Sequence, residues 1–118
     1  MKRLLQELQQ ALASGESAAL ATIVEKRGST PRGVGTAMVV RLDGSQEGTI
    51  GGGSMEARVR SDALALLKLH QSAVRTYTIE AGNQTDPNSV SVLIRAFSGE
   101  RDRKMLQRAL SGMEREKG

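Results

Sequence analysis

Two stretches of this sequence combine glycine with side chains able to hold an anion. They are Gly28-Ser29-Thr30-Pro31-Arg32-Gly33-Val34-Gly35 and Gly48-Thr49-Ile50-Gly51-Gly52-Gly53-Ser54-Met55-Glu56. In the first, the hydroxyls of Ser29 and Thr30, a rigid Pro31 and the Arg32 guanidinium can grip a phosphate or carboxylate. Its Gly-x4-Gly spacing is half of a nucleoside-triphosphate loop. Val34-Gly35 stand where Lys-Ser/Thr would be needed, and the next segment reads as strand, so that chemistry is excluded. An ordinary strand-to-strand loop uses the same residue types. The second stretch reads as strand, glycine run, then helix. In that context unpaired N–H groups and the positive end of the helix dipole face an anion, with Ser54 adding a hydroxyl. Glu56 occupies the place of the third glycine of a dinucleotide fingerprint, which therefore fails. It can instead fold back on the N–H of Gly53 as half of a capping box, a structural role. Three consecutive glycines cost about 0.5–1 kcal/mol each in regular structure. A turn needs one or two, so three point to close backbone approach to something.

Little else in the chain can do chemistry. There is no cysteine, which rules out disulfides, thiolate metal sites, iron–sulfur clusters and a cysteine nucleophile. The single histidine, His70, cannot form a His-based metal cluster within one chain or join a nucleophile–base pair with cysteine. His70 is expected at a helix C-terminus, as a dipole partner or a partly buried residue. Tyr77 and Phe97 are the only aromatics; they are expected in the core and leave no stacking platform for bases. Seventeen Lys and Arg against thirteen Asp and Glu give a net charge of +4, but the cations are dispersed, so a nucleic-acid partner is not expected.

The elements around the two loops follow from periodicity. Leu4, Leu5, Leu8, Ala11 and Leu12 predict an amphipathic helix over residues 2–13, ended by Ser14-Gly15. Residues 17–25 form a nearly continuous apolar run, as in a strand buried on both faces. A second strand spans 36–42, and the Asp43-Gly44 turn returns the chain into 46–50. From Ser54, apolar residues Met55, Val59, Ala63, Leu66 and Leu67 step at helical spacing. Two alternating segments, 73–79 and 90–97, are joined by a loop containing Asp86-Pro87-Asn88. Ser98 caps a last helix with apolar stripe Met105, Leu106, Ala109, Leu110 and Met113, and residues after Gly112 are expected to fray. The order α-β-β-β-α-β-β-α implies an α/β (α+β) domain: a mixed or antiparallel sheet of about five strands with three helices. With 118 residues, 38% hydrophobic and 25% charged, one domain over 1–118 is expected. The apolar run 17–24 is too short to span a bilayer, and a cytoplasmic location follows by default.

Residues 19–59, ALATIVEKRGSTPRGVGTAMVVRLDGSQEGTIGGGSMEARV, resemble the N-terminal domain of the xanthine dehydrogenase accessory factor (XdhC/CoxI-type) family. The shared pattern is a strand, G-S-T-P-R, G-x-x-M-x-V, D-G, G-T-I-G-G-G and a nearby Glu. The resemblance implies a non-enzymatic chaperone that binds the molybdenum cofactor, as molybdopterin or its dinucleotide form, and delivers it to a molybdenum hydroxylase of the xanthine or CO dehydrogenase type. Carried over by position, the cofactor-binding residues are Gly28, Ser29, Thr30, Pro31 and Arg32, with Gly51, Gly52, Gly53, Ser54 and Glu56. The chain departs from the pattern in three ways. Many members carry Cys at the position of Ser54, and many carry Cys-Gly-Gly where Asp86-Pro87-Asn88 stand. The usual Rossmann-like domain does not follow, which implies a separate accessory chain as partner. Without a thiolate the protein cannot ligate molybdenum through sulfur or relay a persulfide. The alternative is a ligand-free structural or regulatory subunit that keeps the fold. Apolar helix stripes on a small domain leave a homodimer open.

Overall fold

The computed structural model describes residues 1–28, 33–79 and 88–116. Its elements are α1 (Lys2–Ala13), β1 (Ala18–Arg27), β2 (Ala37–Arg41), β3 (Gln46–Gly48), α2 (Gly53–Leu69), β4 (Ala73–Ile79), β5 (Asn88–Phe97) and α3 (Gly99–Glu116). The order matches that expected from periodicity. The strands form one antiparallel sheet in the order β3-β2-β1-β5-β4.

Strand alternation divides the interior into two cores. Ala19, Ala21 and Ile23 of β1, Met38 and Val40 of β2 and Val90, Val92 and Ile94 of β5 face α2, whose Met55, Val59, Ala63, Leu66 and Leu67 cover them. The opposite faces of the same strands present Ala18, Val39 and Phe97 to α1 and α3, which contribute Leu5, Leu8, Leu12, Leu106 and Leu110. This explains the apolar run in β1: the central strand of a covered sheet needs small or branched residues on both faces. Tyr77 and Phe97 are both buried, as expected. An ion pair between Arg41 and Glu7 fastens β2 to α1.

Local chemistry sets the element ends. α1 closes with Glu16 N–H donating to Ala11 O at 2.9 Å and Gly15 N–H to Leu12 O at 3.0 Å, the Schellman pattern. The β2–β3 turn is held by Asp43, whose Oδ1 accepts from Ser45 N–H at 2.9 Å and Ser45 Oγ at 2.6 Å. α3 begins where Asp102 accepts from Ser98 N–H at 2.8 Å. Several boundaries differ from expectation: β1 runs on to Arg27, beyond residue 25, and β5 begins at Asn88, before residue 90. β3 stops at Gly48 instead of reaching Ile50, because residues 49–52 turn away to start α2. α3 continues through Glu116 instead of fraying after Gly112, since Leu106, Leu110 and Met113 pack against α1 and tertiary burial carries the helix onward.

Candidate anion-binding site

The antiparallel register sends three connections to one end of the sheet. There β1 leaves toward β2, β3 leaves toward α2 and β4 leaves toward β5. The two glycine elements therefore share an end but not a level. Gly48 pairs with Met38, which lies beside Ala21 and Ile94. Gly28 adjoins Asn88, six positions further along β5, or about 20 Å at strand rise. α2 bridges part of that offset. Arg58 in its second turn donates to Thr78 O at 3.0 Å, and Thr78 pairs with Ser89, the partner of Arg27. Ser29, Thr30, Pro31 and Arg32 lie outside the described residues, as does the Asp86-Pro87 part of the β4–β5 loop.

The second element is built around Glu56. Its Oε1 accepts from the Thr49 hydroxyl, from Ile50 N–H at 2.9 Å and from Gly52 N–H at 3.4 Å. Thr49 Oγ1 in turn accepts from Gly51 N–H at 3.1 Å. The sequence suggested a return to the N–H of Gly53; the carboxylate instead reaches further back and knots the loop that enters the helix. Partial burial works against its ionisation, but the bonds from Thr49, Ile50, Gln46 and Gly52 outweigh this and hold its pKa below the ordinary 4.5. Gln46 is fixed by Arg60, which donates to its Oε1 at 2.7 Å. Thr49, Gln46 and Arg60 were not singled out from sequence. Thr49 sits inside the G-T-I-G-G-G motif, where a hydroxyl two residues before the first glycine of the run hints at such a brace. Gln46 and Arg60 carry no local signal.

The glycine run has a backbone reason as well as an open surface. Gly51, Gly52 and Gly53 all have positive φ, at 125°, 75° and 71°. Gly52 combines its φ of 75° with a ψ of −169°, a region essentially reserved for glycine. Among the described residues, a Cβ at Gly52 or Gly53 would meet nothing within 4 Å. α2 has no side-chain cap. By helix geometry the first-turn N–H groups of Gly53, Ser54 and Met55 have no intrahelical acceptor and lie at the positive end of the dipole. Ser54 is exposed on this turn. The donors available to a ligand are thus those that open α2, whereas Glu56 and Thr49 already engage N–H groups of residues 50–52.

The remaining candidates have partners within the fold. A Cβ on Gly28, whose φ is +83°, would lie 2.0 Å from Oδ1 of Asn88, a residue only 3% exposed. Gly28 is thus required by a close approach between strands. Tyr77 donates to Asp62 Oδ2 at 2.6 Å and lies under the Arg58 guanidinium, which is 5.7 Å from the ring centroid. Burial first, then Asp62, pushes the phenol pKa well above 10.0. His70 stands at a helix C-terminus as expected: it is the exposed C-cap of α2, with a φ of 53°. Among the described residues, no group of three or more His, Asp and Glu side chains could hold a metal ion, and no helix is long and apolar enough to cross a membrane.

The fold and the glycine-bridged entry to α2 define a small α/β domain whose second helix starts on a glycine run. Residues 11–78 match the model of the XdhC and CoxI family, and the chain belongs to that family. It is 45% identical over 58 residues to the molybdenum cofactor insertion chaperone PaoD of Escherichia coli K12; the match covers 49% of this chain and 18% of that protein. It is 52% identical over 50 residues to the uncharacterized protein YqeB of the same organism, covering 42% of this chain and 9% of that protein. The chain thus spans less than a fifth of each of these curated relatives. A crystal structure from Bacillus halodurans, described as a xanthine dehydrogenase, superposes with a TM-score of 0.71 over 91% of this chain and 34% of that one. Its sequence identity is 22%, so the likeness is one of fold.

Proposed function

We propose that this chain is a non-catalytic accessory module that holds the phosphate-bearing end of the molybdenum cofactor, as molybdopterin or a dinucleotide form, for a molybdenum hydroxylase. The observation that carries this reading is the glycine-entered start of α2, which has no side-chain cap and, among the described residues, nothing within 4 Å of a Cβ built at Gly53. A phosphate fits there: its oxygens accept from the N–H groups of Gly53, Ser54 and Met55, with the Ser54 hydroxyl beside it. Membership of the XdhC and CoxI family, and likeness to a chaperone for insertion of this cofactor, support the choice of cargo. Glu56 serves as the brace that keeps the loop in its glycine-only shape, and Arg32 with Ser29, Thr30 and Pro31 supplies the second grip from the β1–β2 connection. The bound group brings redox and sulfur chemistry of its own. With no cysteine, this chain contributes binding and orientation but no sulfur transfer. The described fold acts as one domain in the cytoplasm.

Substitution of Gly52 cannot test binding alone, because any side chain there strains the backbone. Ser54→Asp can. A carboxylate at the start of α2 stabilises the helix by about 0.3–1 kcal/mol while repelling a phosphate. The wild type should show saturable binding, followed by the fluorescence of oxidised molybdopterin. Ser54→Asp should weaken it about tenfold or more, equivalent to at least ~1.4 kcal/mol, with melting temperature unchanged or raised. Arg32→Ala should weaken binding as well. Absence of saturable binding by the wild type sinks the proposal. It would favour the second reading, a ligand-free partner subunit, to which the internal bonds of Glu56 and Thr49 already lend support by holding the loop without a ligand.

A further inference from the structure

The two edges of the sheet are finished differently. β3 closes one edge with three residues, and its Gln46 and Glu47 are engaged by Arg60 and Arg3. β4 closes the other with seven residues, AVRTYTI, of which Val74, Arg75, Thr76 and Thr78 are exposed. Two contacts reveal which backbone groups of β4 turn away from β5. The Thr76 and Ser91 hydroxyls meet at 3.0 Å, the closeness of a non-hydrogen-bonded pair. Thr78 O is taken by the Arg58 guanidinium instead of by β5. By alternation, the N–H and C=O groups of Val74, Thr76 and Thr78 point outward. Among the described residues, only Thr78 O has a partner there. An open row of this length, rich in β-branched residues and carrying the single charge of Arg75, is a template for another strand.

We infer that the β4 edge pairs antiparallel with the β4 edge of a second copy of this chain, about a two-fold axis through Thr76. Two five-stranded sheets become one. A strand edge is self-complementary under a two-fold axis, and the pleat admits only registers that match like faces. Centring on Arg75 would set two guanidiniums opposite each other. Centring on Val74 or Tyr77 leaves fewer of the seven residues paired. Centring on Thr76 aligns the whole strand, placing Val74 opposite Thr78 of the second copy and Arg75 opposite its Tyr77. Arg75 then faces the uncharged Tyr77 side chain and not a second Arg75. The pairing also covers Val74, which is 60% exposed. Seven residues span about 23 Å, and one edge pairing buries less than the ~1,200 Å² of a standard interface, so the association depends on concentration.

Sedimentation equilibrium on the full chain, from micromolar to millimolar, tests this. The mass should move from one chain toward two, with amide exchange at Val74, Thr76 and Thr78 slowing in step. Thr76→Lys, which places two ammonium groups on the axis, should weaken the pairing at least tenfold while leaving the circular dichroism unchanged. Thr76→Pro removes an outward donor without removing a bond to β5 and should do the same; should it misfold, Thr76→Lys carries the comparison. A wild type that keeps the mass of one chain throughout overturns the inference, as when this edge serves a strand of another protein. So does a dimer that survives Thr76→Lys, or exchange protection that appears elsewhere.

Discussion

Replacing Glu56 by alanine should detach the glycine loop from α2 at a cost that the hydrogen bonds allow one to work out. The main loss is the acceptor for Ile50 N–H, bonded at 2.9 Å in a residue with no exposed surface. Stranding a buried donor costs about 1–3 kcal/mol. Loss of a negative charge from the first turn of α2 adds about 0.3–1 kcal/mol. The Thr49 hydroxyl and the longer bond to Gly52, at 3.4 Å, contribute little, because both donors lie nearer solvent. Together the loss is about 2–3 kcal/mol. With a urea dependence of about 1–3 kcal/mol per molar, the unfolding midpoint should fall by roughly 1–2 M. Glu56→Gln keeps an oxygen in place and forfeits only the charge, so it should lose about half as much. The difference between wild type and Glu56→Gln should also depend on pH. A carboxylate whose folded pKa lies below the ordinary 4.5 contributes stability that is present above that value and lost as pH falls through the folded pKa. The two proteins should therefore converge in acid. A Glu56→Ala protein within about 0.5 kcal/mol of wild type, or a Glu56→Gln protein as unstable as Glu56→Ala, would refute the reasoning.

Two further outcomes follow from the strand that carries Gly28 and from the α2–β4 contact. Gly28→Ala should destabilise the fold by on the order of 2–4 kcal/mol through the contact with Asn88 and the positive φ. Adding Asn88→Ala should recover less than the full loss, since it clears the side-chain clash and leaves the backbone strain; denaturation of the single and double variants measures the coupling. Tyr77, the only tyrosine, should remain un-ionised through pH 10 in the folded protein, and near-ultraviolet titration should show phenolate only at higher pH or on unfolding. Tyr77→Phe should cost about 1–2 kcal/mol by leaving Asp62 without the phenol as donor, as read from urea midpoints.

Much of this protein was legible in the chain itself because the signals are local. The three-and-four spacing of Met55, Val59, Ala63 and Leu66 specifies α2, and alternation specifies β4 with its observed ends. Asp43-Gly44 specifies the β2–β3 turn, and the glycine run marks the entry to α2. The ordered motifs between Gly28 and Glu56 likewise pointed to the family that comparison with known proteins established. Such features depend on a residue and its neighbours within a few positions, where steric preference and periodicity act. Tertiary structure decided the rest. Glu56 bonds to Ile50 and Gly52 instead of Gly53 because the β3–α2 corner sets how far back a carboxylate must reach. Asn88 is buried against Gly28 because β1 and β5, sixty residues apart in sequence, are neighbours in the sheet. Strand order also sets the two glycine elements at one end of the sheet but about 20 Å apart in level. No local pattern encodes these distances. They arise from which strands pair, and burial of both faces of β1 selects that pairing.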